Sequence, residues 1–174
     1  RFGEFTGNGY TDKDRFEYIY AQYFVRYIEA YEKLGIPIYG LTIQNEPSNA
    51  AHWPAVIWTP AQLADFGYHF LRPALDHSYP DTKMFFLDDS PHALTKPISE
   101  EVPNNQAMAF DGMAVHTYME PYDQLYHASR AFPSWAMIMT ERRCMMRETP
   151  ENAAHIMFGV IGNWLVHNGL GMIT

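Results

Sequence analysis

The stretch Ile36-Pro37-Ile38-Tyr39-Gly40-Leu41-Thr42-Ile43-Gln44-Asn45-Glu46-Pro47 decides how the chain is read. Residues 36–43 have the apolar character of a buried strand, and Pro47 forbids further ladder pairing, so a strand ends on a carboxylate at Glu46. Ahead of it, Phe16, Ile19, Tyr20, Tyr23, Phe24, Tyr27, Ile28, Tyr31 and Leu34 recur at helical spacing, with Thr11 and Asp12 as capping oxygens and Gly35 as the stop. The stripe Tyr20, Tyr23, Tyr27 and Tyr31 has core spacing and is expected to pack on the sheet.

Downstream, Thr59-Pro60-Ala61-Gln62 has capping-box spacing with Pro at the first helical position, predicting a helix to about Leu75 with a bend near Pro73. Lys83 to Leu87 is the next strand and ends on Asp88-Asp89. The Pro-rich segment Ser90 to Gln106 reads as a loop with at most a short helix, and Gly112 to Tyr118 as a third strand ending on His116 and Tyr118. Pro121 to Phe132 suits a short helix, and Ser134 to Thr140 is a fourth strand that delivers Glu141. Thr149-Pro150-Glu151 opens a last amphipathic helix, and Leu170 to Thr174 begins a fifth strand.

Buried strands joined by helical crossovers belong to α/β architecture with a parallel sheet. A doubly wound sheet and a β/α barrel both satisfy the alternation. Polar groups at successive strand C-termini suit the upper face of a (β/α)8 TIM barrel better. A whole barrel takes about 250 residues, so residues 1–174 are expected to cover about the last five strands, 4 to 8, as the C-terminal part of a single catalytic domain.

Composition narrows the function. Hydrophobic residues make up 47% and charged residues 18%, enough for one sizeable core, and the formal charge of −8 offers no basic field for a nucleic acid. The longest apolar runs fall well short of the roughly 18 residues of a membrane span. Cys144 is the only cysteine, which excludes an intrachain disulfide and any site with two thiolates. No signal peptide is visible after Arg1; one would lie ahead of it, so secretion is compatible but location and oligomeric state stay unassigned.

Two glutamates at the ends of separate parallel strands form the paired-carboxylate arrangement of glycoside hydrolysis, in which one carboxyl donates a proton and the other attacks or activates water. Arg142 and Arg143, directly after Glu141, leave a structural ion pair as the competing reading.

The run YFVRYIEAYEKLGIPIYGLTIQNEP, then WTPAQLADF, FFLDDS, GMAVHTY and MTERR, resembles glycoside hydrolase family 30, whose members include glucosylceramidases and β-1,6-glucanases. Asn-Glu-Pro alone occurs in many barrel glycosidases of that clan; the ordered set is far more specific. The resemblance implies a retaining double displacement with Glu46 as general acid/base and Glu141 as nucleophile, the carboxyls about 5 to 5.5 Å apart. It also implies that Asn45 hydrogen-bonds the sugar 2-hydroxyl, although Asn equally suits a turn there. In the family the termini usually add a small β-sandwich, and the first three strands and that sandwich have no counterpart in these residues. Thr117, and the double Arg after Glu141, depart from the family's pattern and bear on the substrate.

Around this pair, Tyr118 is placed to donate its phenolic hydrogen to Glu141, and His116 to line the pocket. Asp88 and Asp89 stand equally for sugar or arginine binding and for loop ordering. Trp53 is the stronger candidate for stacking on a sugar ring, and Trp58 reads more as packing beside a helix cap. The methionines read as core filler, and Cys144 as passive. His116, Asp88 and Glu141 could ligate a metal, but there is no HxH or HExxH pattern, so no metal and no cofactor is expected. The reading is a retaining β-glycosidase acting on glucosylceramide or a β-glucan, a carbohydrate or glycolipid substrate. The alternatives are an inactive carbohydrate-binding barrel, with Glu141 locked by the Arg pair, and a metal-dependent barrel hydrolase.

Overall fold

The computed structural model describes residues 10–52, 55–118, 123–142, 149–155, 158 and 171–172, with side chains for those between 16 and 158. Helix α1 (Tyr10–Glu32) leads into β1 (Gly40–Thr42). Gly35 adopts φ +76, and the Ile36 N–H reaches back to the Tyr31 carbonyl at 3.0 Å, so a left-handed residue stops the helix and satisfies a terminal carbonyl. The strand is shorter than its apolar run: it begins at Gly40, with the Tyr39 carbonyl accepting from the Lys83 N–H at 2.9 Å, and Pro37 lacks an N–H to donate.

Helix α2 (Pro60–Phe66) starts on the expected capping box of Thr59 and Gln62. A single π turn, Gly67–Leu71, joins it to α3 (Arg72–Ser78), in whose first turn Pro73 is accommodated. The irregularity therefore lies one turn ahead of Pro73 and the helical stretch outruns Leu75. Strand β2 (Lys83–Asp89) includes both aspartates. The segment read as a loop holds two one-turn helices, α4 (Ile98–Glu101) and α5 (Asn104–Ala107), each preceded by a proline. Strand β3 (Gly112–His116) stops two residues before Tyr118; α6 (Asp123–Ala131), β4 (Ala136–Glu141) and β5 (Gly171–Met172) follow. Residues 150–155 are helical; the apolar side expected of that helix, Ile156, Met157, Val160, Ile161, Trp164 and Leu165, lies outside the described residues.

All four strand pairings are parallel, and the five strands lie in chain order, β1-β2-β3-β4-β5. A doubly wound sheet reverses its order at a switch point; uninterrupted sequential order belongs to a barrel wall. Helices cover one face. There Met84, Phe86, Met113, Val115, Met137 and Met139 pack against Ile28, Leu63, Phe66, Leu71, Leu75, Ile98 and Leu125. The opposite face, which a barrel turns inward, carries a small cluster of Phe85, Ala114 and Ile138. The methionines on these strands are core filler as expected, whereas Met108 is exposed.

The tyrosine stripe of α1 behaves differently from its periodicity. Tyr20 is half-buried and stacks near Trp58 and Phe66, but Tyr23 and Tyr27 are 60% and 43% exposed, together with Phe16 and Ile19. Among the described residues helix α1 packs mainly on the α2–α3 side, at the end of the sheet where β1 has a single strand neighbour. Its apolar stripe is wider than the surface present to cover it.

Candidate active site

Glu46 lies four residues beyond β1, at φ 46. Its N–H donates to the Asp88 carbonyl (2.9 Å), tying the turn to the end of β2. Gln44 fastens the returning loop by a paired exchange with the Val56 backbone (2.7 and 3.0 Å), and its Oε1 accepts from Trp58 Nε1 at 3.4 Å. Trp58 is buried and packs the loop down, in agreement with its weaker candidacy as a sugar platform. Trp53 lies outside the described residues.

The inner ends of β2, β3 and β4 depart from regular register at two places. In β2, Leu87 pairs Ala114 and Asp89 pairs Val115, leaving Asp88 as an extra residue; Leu87 and Asp88 both have positive φ, 74 and 64. In β4, Met139 pairs Val115 and Glu141 pairs His116, leaving Thr140 extra. Bulges of this kind re-aim side chains. Here Leu87 joins the outer core, while Asp88 turns inward.

His116, 1% exposed, is the hub. Its Nε2 lies 3.3 Å from Asp88 Oδ1 and 3.8 Å from Glu141 Oε2, and its Nδ1 lies 3.5 Å from Glu46 Oε1. Tyr118 donates to Glu141 Oε1 at 2.8 Å, the contact expected for it. Asn49 donates to Glu46 Oε2 at 2.8 Å. The Glu46 and Glu141 side chains are 27% and 43% exposed, open to a ligand. Asn45, His116 and Glu141 line one concave space of about 440 Å³ that continues down the inner face past Thr42 and Phe85.

Asp88 lines the same space, and among the described residues it has no arginine partner. Thr42 donates to Oδ2 (2.6 Å), and Thr140 donates to Oδ1 (2.7 Å) beside His116. Burial by itself would raise the Asp88 carboxyl, but the hydrogen bonds from His116, Thr42 and Thr140 outweigh it and hold the group below the ordinary carboxylate value. Burial likewise pulls the His116 imidazole down, and its hydrogen bond to Asp88 with the negative fields of Asp88, Glu141 and Asp89 more than reverses this, leaving it raised. Asp89 serves the loop: Oδ2 accepts from Ser48 N–H and Oγ (3.2 and 2.7 Å), and Oδ1 from Ser90 N–H (2.7 Å).

Arg142 turns away from the ion pair with Glu141 that its position suggested. Its Nη1 donates to the Thr117 carbonyl (2.5 Å) and its guanidinium sits 5.5 Å from the centre of the Tyr118 ring. Arg143 and Cys144 lie outside the described residues. One atom each from Glu46, His116 and Glu141 lie within 4.8 Å of one another, the set among the described residues that could approach a cation; it differs from the His116, Asp88 and Glu141 set of sequence reading, because Asp88 is spent on the threonines. Thr42, Thr140, Ser48 and Asn49 escaped the sequence reading. The only signal for the threonines was a hydroxyl inside an otherwise apolar strand.

Among known proteins, the chain is 30% identical over 163 residues to an endo-1,6-β-D-glucanase of Trichoderma harzianum, covering 90% of this chain and 33% of that protein. It is 28% identical over 160 residues to the lysosomal acid glucosylceramidase of Mus musculus, covering 87% of this chain and 30% of that one. The chain thus spans about a third of the length of these relatives. Among solved structures, an endo-β-1,6-glucanase superposes with TM-score 0.79 at 22% identity, over 92% of this chain and 37% of the other. A family 30 endoxylanase from Clostridium papyrosolvens gives 0.69 at 18%, over 90% and 39%. The profile of the glycosyl hydrolase family 30 TIM-barrel domain matches residues 3–160. With its parallel strands in barrel order and its glutamates gathered at their C-terminal ends, the chain belongs to glycosyl hydrolase family 30 and forms part of that family's TIM barrel.

Proposed function

We propose that the protein is a retaining β-glycoside hydrolase, with Glu141 as nucleophile and Glu46 as general acid/base, and that residues 1–174 are the C-terminal part of its single catalytic barrel. One observation carries this reading: carboxylate oxygens of Glu46 and Glu141 lie within 4.8 Å of each other. Retaining enzymes hold their carboxyls about 5 to 5.5 Å apart, whereas inverting enzymes need about 6.5 to 9.5 Å to admit a water between them.

In the first step a Glu141 oxygen forms a bond to the anomeric carbon as the bond to the leaving oxygen breaks, and Glu46 gives that oxygen its proton. In the second, water attacks the same carbon, Glu46 takes its proton, and Glu141 departs as carboxylate. Tyr118 steadies the Glu141 oxygen it contacts at 2.8 Å. Asn45, lining the same space, is assigned the sugar 2-hydroxyl, His116 the pocket wall, and Trp53 the sugar face. Relatives named for β-1,6-glucan and for glucosylceramide support a β-linked glucose at the reacting position, in a glycan or a glycolipid. Arg142, held by Thr117 and Tyr118, speaks against an inactive barrel with Glu141 locked by arginine.

The test is mass spectrometry with peptide mapping after incubating the intact protein with 2-deoxy-2-fluoro-β-glucosyl fluoride. A single adduct on Glu141 is expected. Sugar binding without any adduct or turnover overturns the assignment. In the same protein Glu141→Gln is expected to lower kcat by at least about a thousandfold while leaving the fold intact.

A further inference from the structure

Two irregularities flank β3, one in each neighbouring strand, and each adds a single residue: Asp88 in β2 and Thr140 in β4. Bulges are rare in parallel pairs, and left-handed φ at two successive non-glycine residues, Leu87 and Asp88, is costly. Yet the two extra residues meet, Thr140 Oγ1 to Asp88 Oδ1 at 2.7 Å, directly against the Nε2 side of His116. From the far side Thr42 of β1 closes on the other carboxylate oxygen at 2.6 Å. One buried carboxylate is thus bolted to three strands, and the imidazole's remaining nitrogen, Nδ1, is buried without a hydrogen-bond partner and points at Glu46 across 3.5 Å.

We propose that Asp88 is a positioning residue: lodged by Thr42 and Thr140, it holds His116 Nε2 and thereby aims Nδ1 at the Glu46 carboxyl, setting Glu46 relative to Glu141. This rests on the retaining reading above and adds to it a device rather than a substrate contact. An ionised carboxylate only accepts, so its partner nitrogen must carry hydrogen, which leaves Nδ1 as the atom that meets Glu46 through the catalytic cycle. The charged or titratable groups facing the imidazole are Asp88 and Asp89 from β2, Glu46 after β1, Glu141 at the end of β4, and the Tyr118 phenol, whose ring centroid lies 6.1 Å away.

The experiment compares Asp88→Asn, the double variant Thr42→Val/Thr140→Val and the double variant Thr42→Ser/Thr140→Ser in the intact protein, with folding followed by circular dichroism. Asp88→Asn keeps the shape and removes the charge; kcat on an aryl β-glucoside is expected to fall on the order of a hundredfold with little change in KM. In parallel the His116 ring, followed by NMR, is expected to titrate at lower pH than in the unsubstituted protein. The Ser pair, which keeps both hydroxyls, is expected to exceed the Val pair in kcat; packing alone predicts the reverse order, because Val matches Thr in shape. Unchanged kcat and His116 titration in Asp88→Asn, or a Val pair equal to the Ser pair, overturns the proposal. If Asp88→Asn fails to fold, the threonine pairs decide. If the unsubstituted protein turns over no glycoside, the retaining reading falls, and the His116 titration judges the clamp by itself.

Discussion

At the scale of single residues, the contact between Asp88 and His116 ties stability to pH. The Asp88 carboxyl is lowered in the fold, so its contribution is present above the ordinary carboxylate value of about 4 and is lost as pH falls through the folded value. The His116 imidazole is raised, so its contribution is complete below its unfolded value near about 6.5 and is lost as pH rises through the folded value. Urea unfolding of the unsubstituted protein and Asp88→Asn is therefore expected to differ most between about pH 4 and 6.5, to narrow above that window as His116 loses its charge while the threonine hydrogen bonds persist, and to narrow further below it as Asp88 is protonated. A gap independent of pH contradicts this. Gly112 poses a purely steric case: a Cβ there would lie 2.1 Å from the Ala136 carbonyl oxygen, which the ladder holds in place. Gly112→Ala is expected to cost about 1 to 3 kcal/mol by denaturant titration.

At the scale of elements, the end of β2 does more than its length suggests. Its last two residues supply the carbonyl that takes the Glu46 N–H and the carboxylate among the threonines, both from Asp88, and the carboxylate of Asp89 that holds Ser48. Asp89→Ala strands the Ser48 and Ser90 donors, and a loss of about 1 to 3 kcal/mol is expected, with kcat falling as the Glu46 turn drifts. Thr59→Ala is the contrast. It removes the hydroxyl that accepts from the Gln62 N–H at an exposed helix start, where the Thr59 N–H in turn donates to Gln62 Oε1, at a cost of about 1 kcal/mol. The helix borders were readable because Thr59, Pro60 and Gln62 act within one turn. The bulges in β2 and β4 were not, because register is a relation between strands and leaves no mark on either one alone.

At the scale of the whole molecule, the described sheet has helices on one face, and among the described residues its first strand has one strand neighbour. Phe16, Ile19, Tyr23 and Tyr27 on α1, with Ile36 and Tyr39 beside β1, are exposed together. Contiguous apolar surface beside an unpaired strand edge drives association. The 174-residue chain is expected to sediment as oligomers at micromolar concentration. A monomer at all concentrations would contradict the exposure of the stripe. No described helix is long and apolar enough to cross a membrane.

The amino-acid sequence by itself, in a pattern that both a doubly wound sheet and a barrel satisfy, determined the alternation of strands and helices and the arrival of Glu46 and Glu141 at or just past strand ends. These follow from hydrophobic period, caps and prolines, which act over a few neighbouring residues. Only the tertiary structure decided that Asp88 faces two threonines and a histidine, that Arg142 goes to Tyr118, and that half of the tyrosine stripe stays in solvent. Each depends on which strand lies beside which, and at what register. A two-residue left-handed turn at Leu87 and Asp88 exchanges the inward and outward sides, and its consequence is visible only across the sheet.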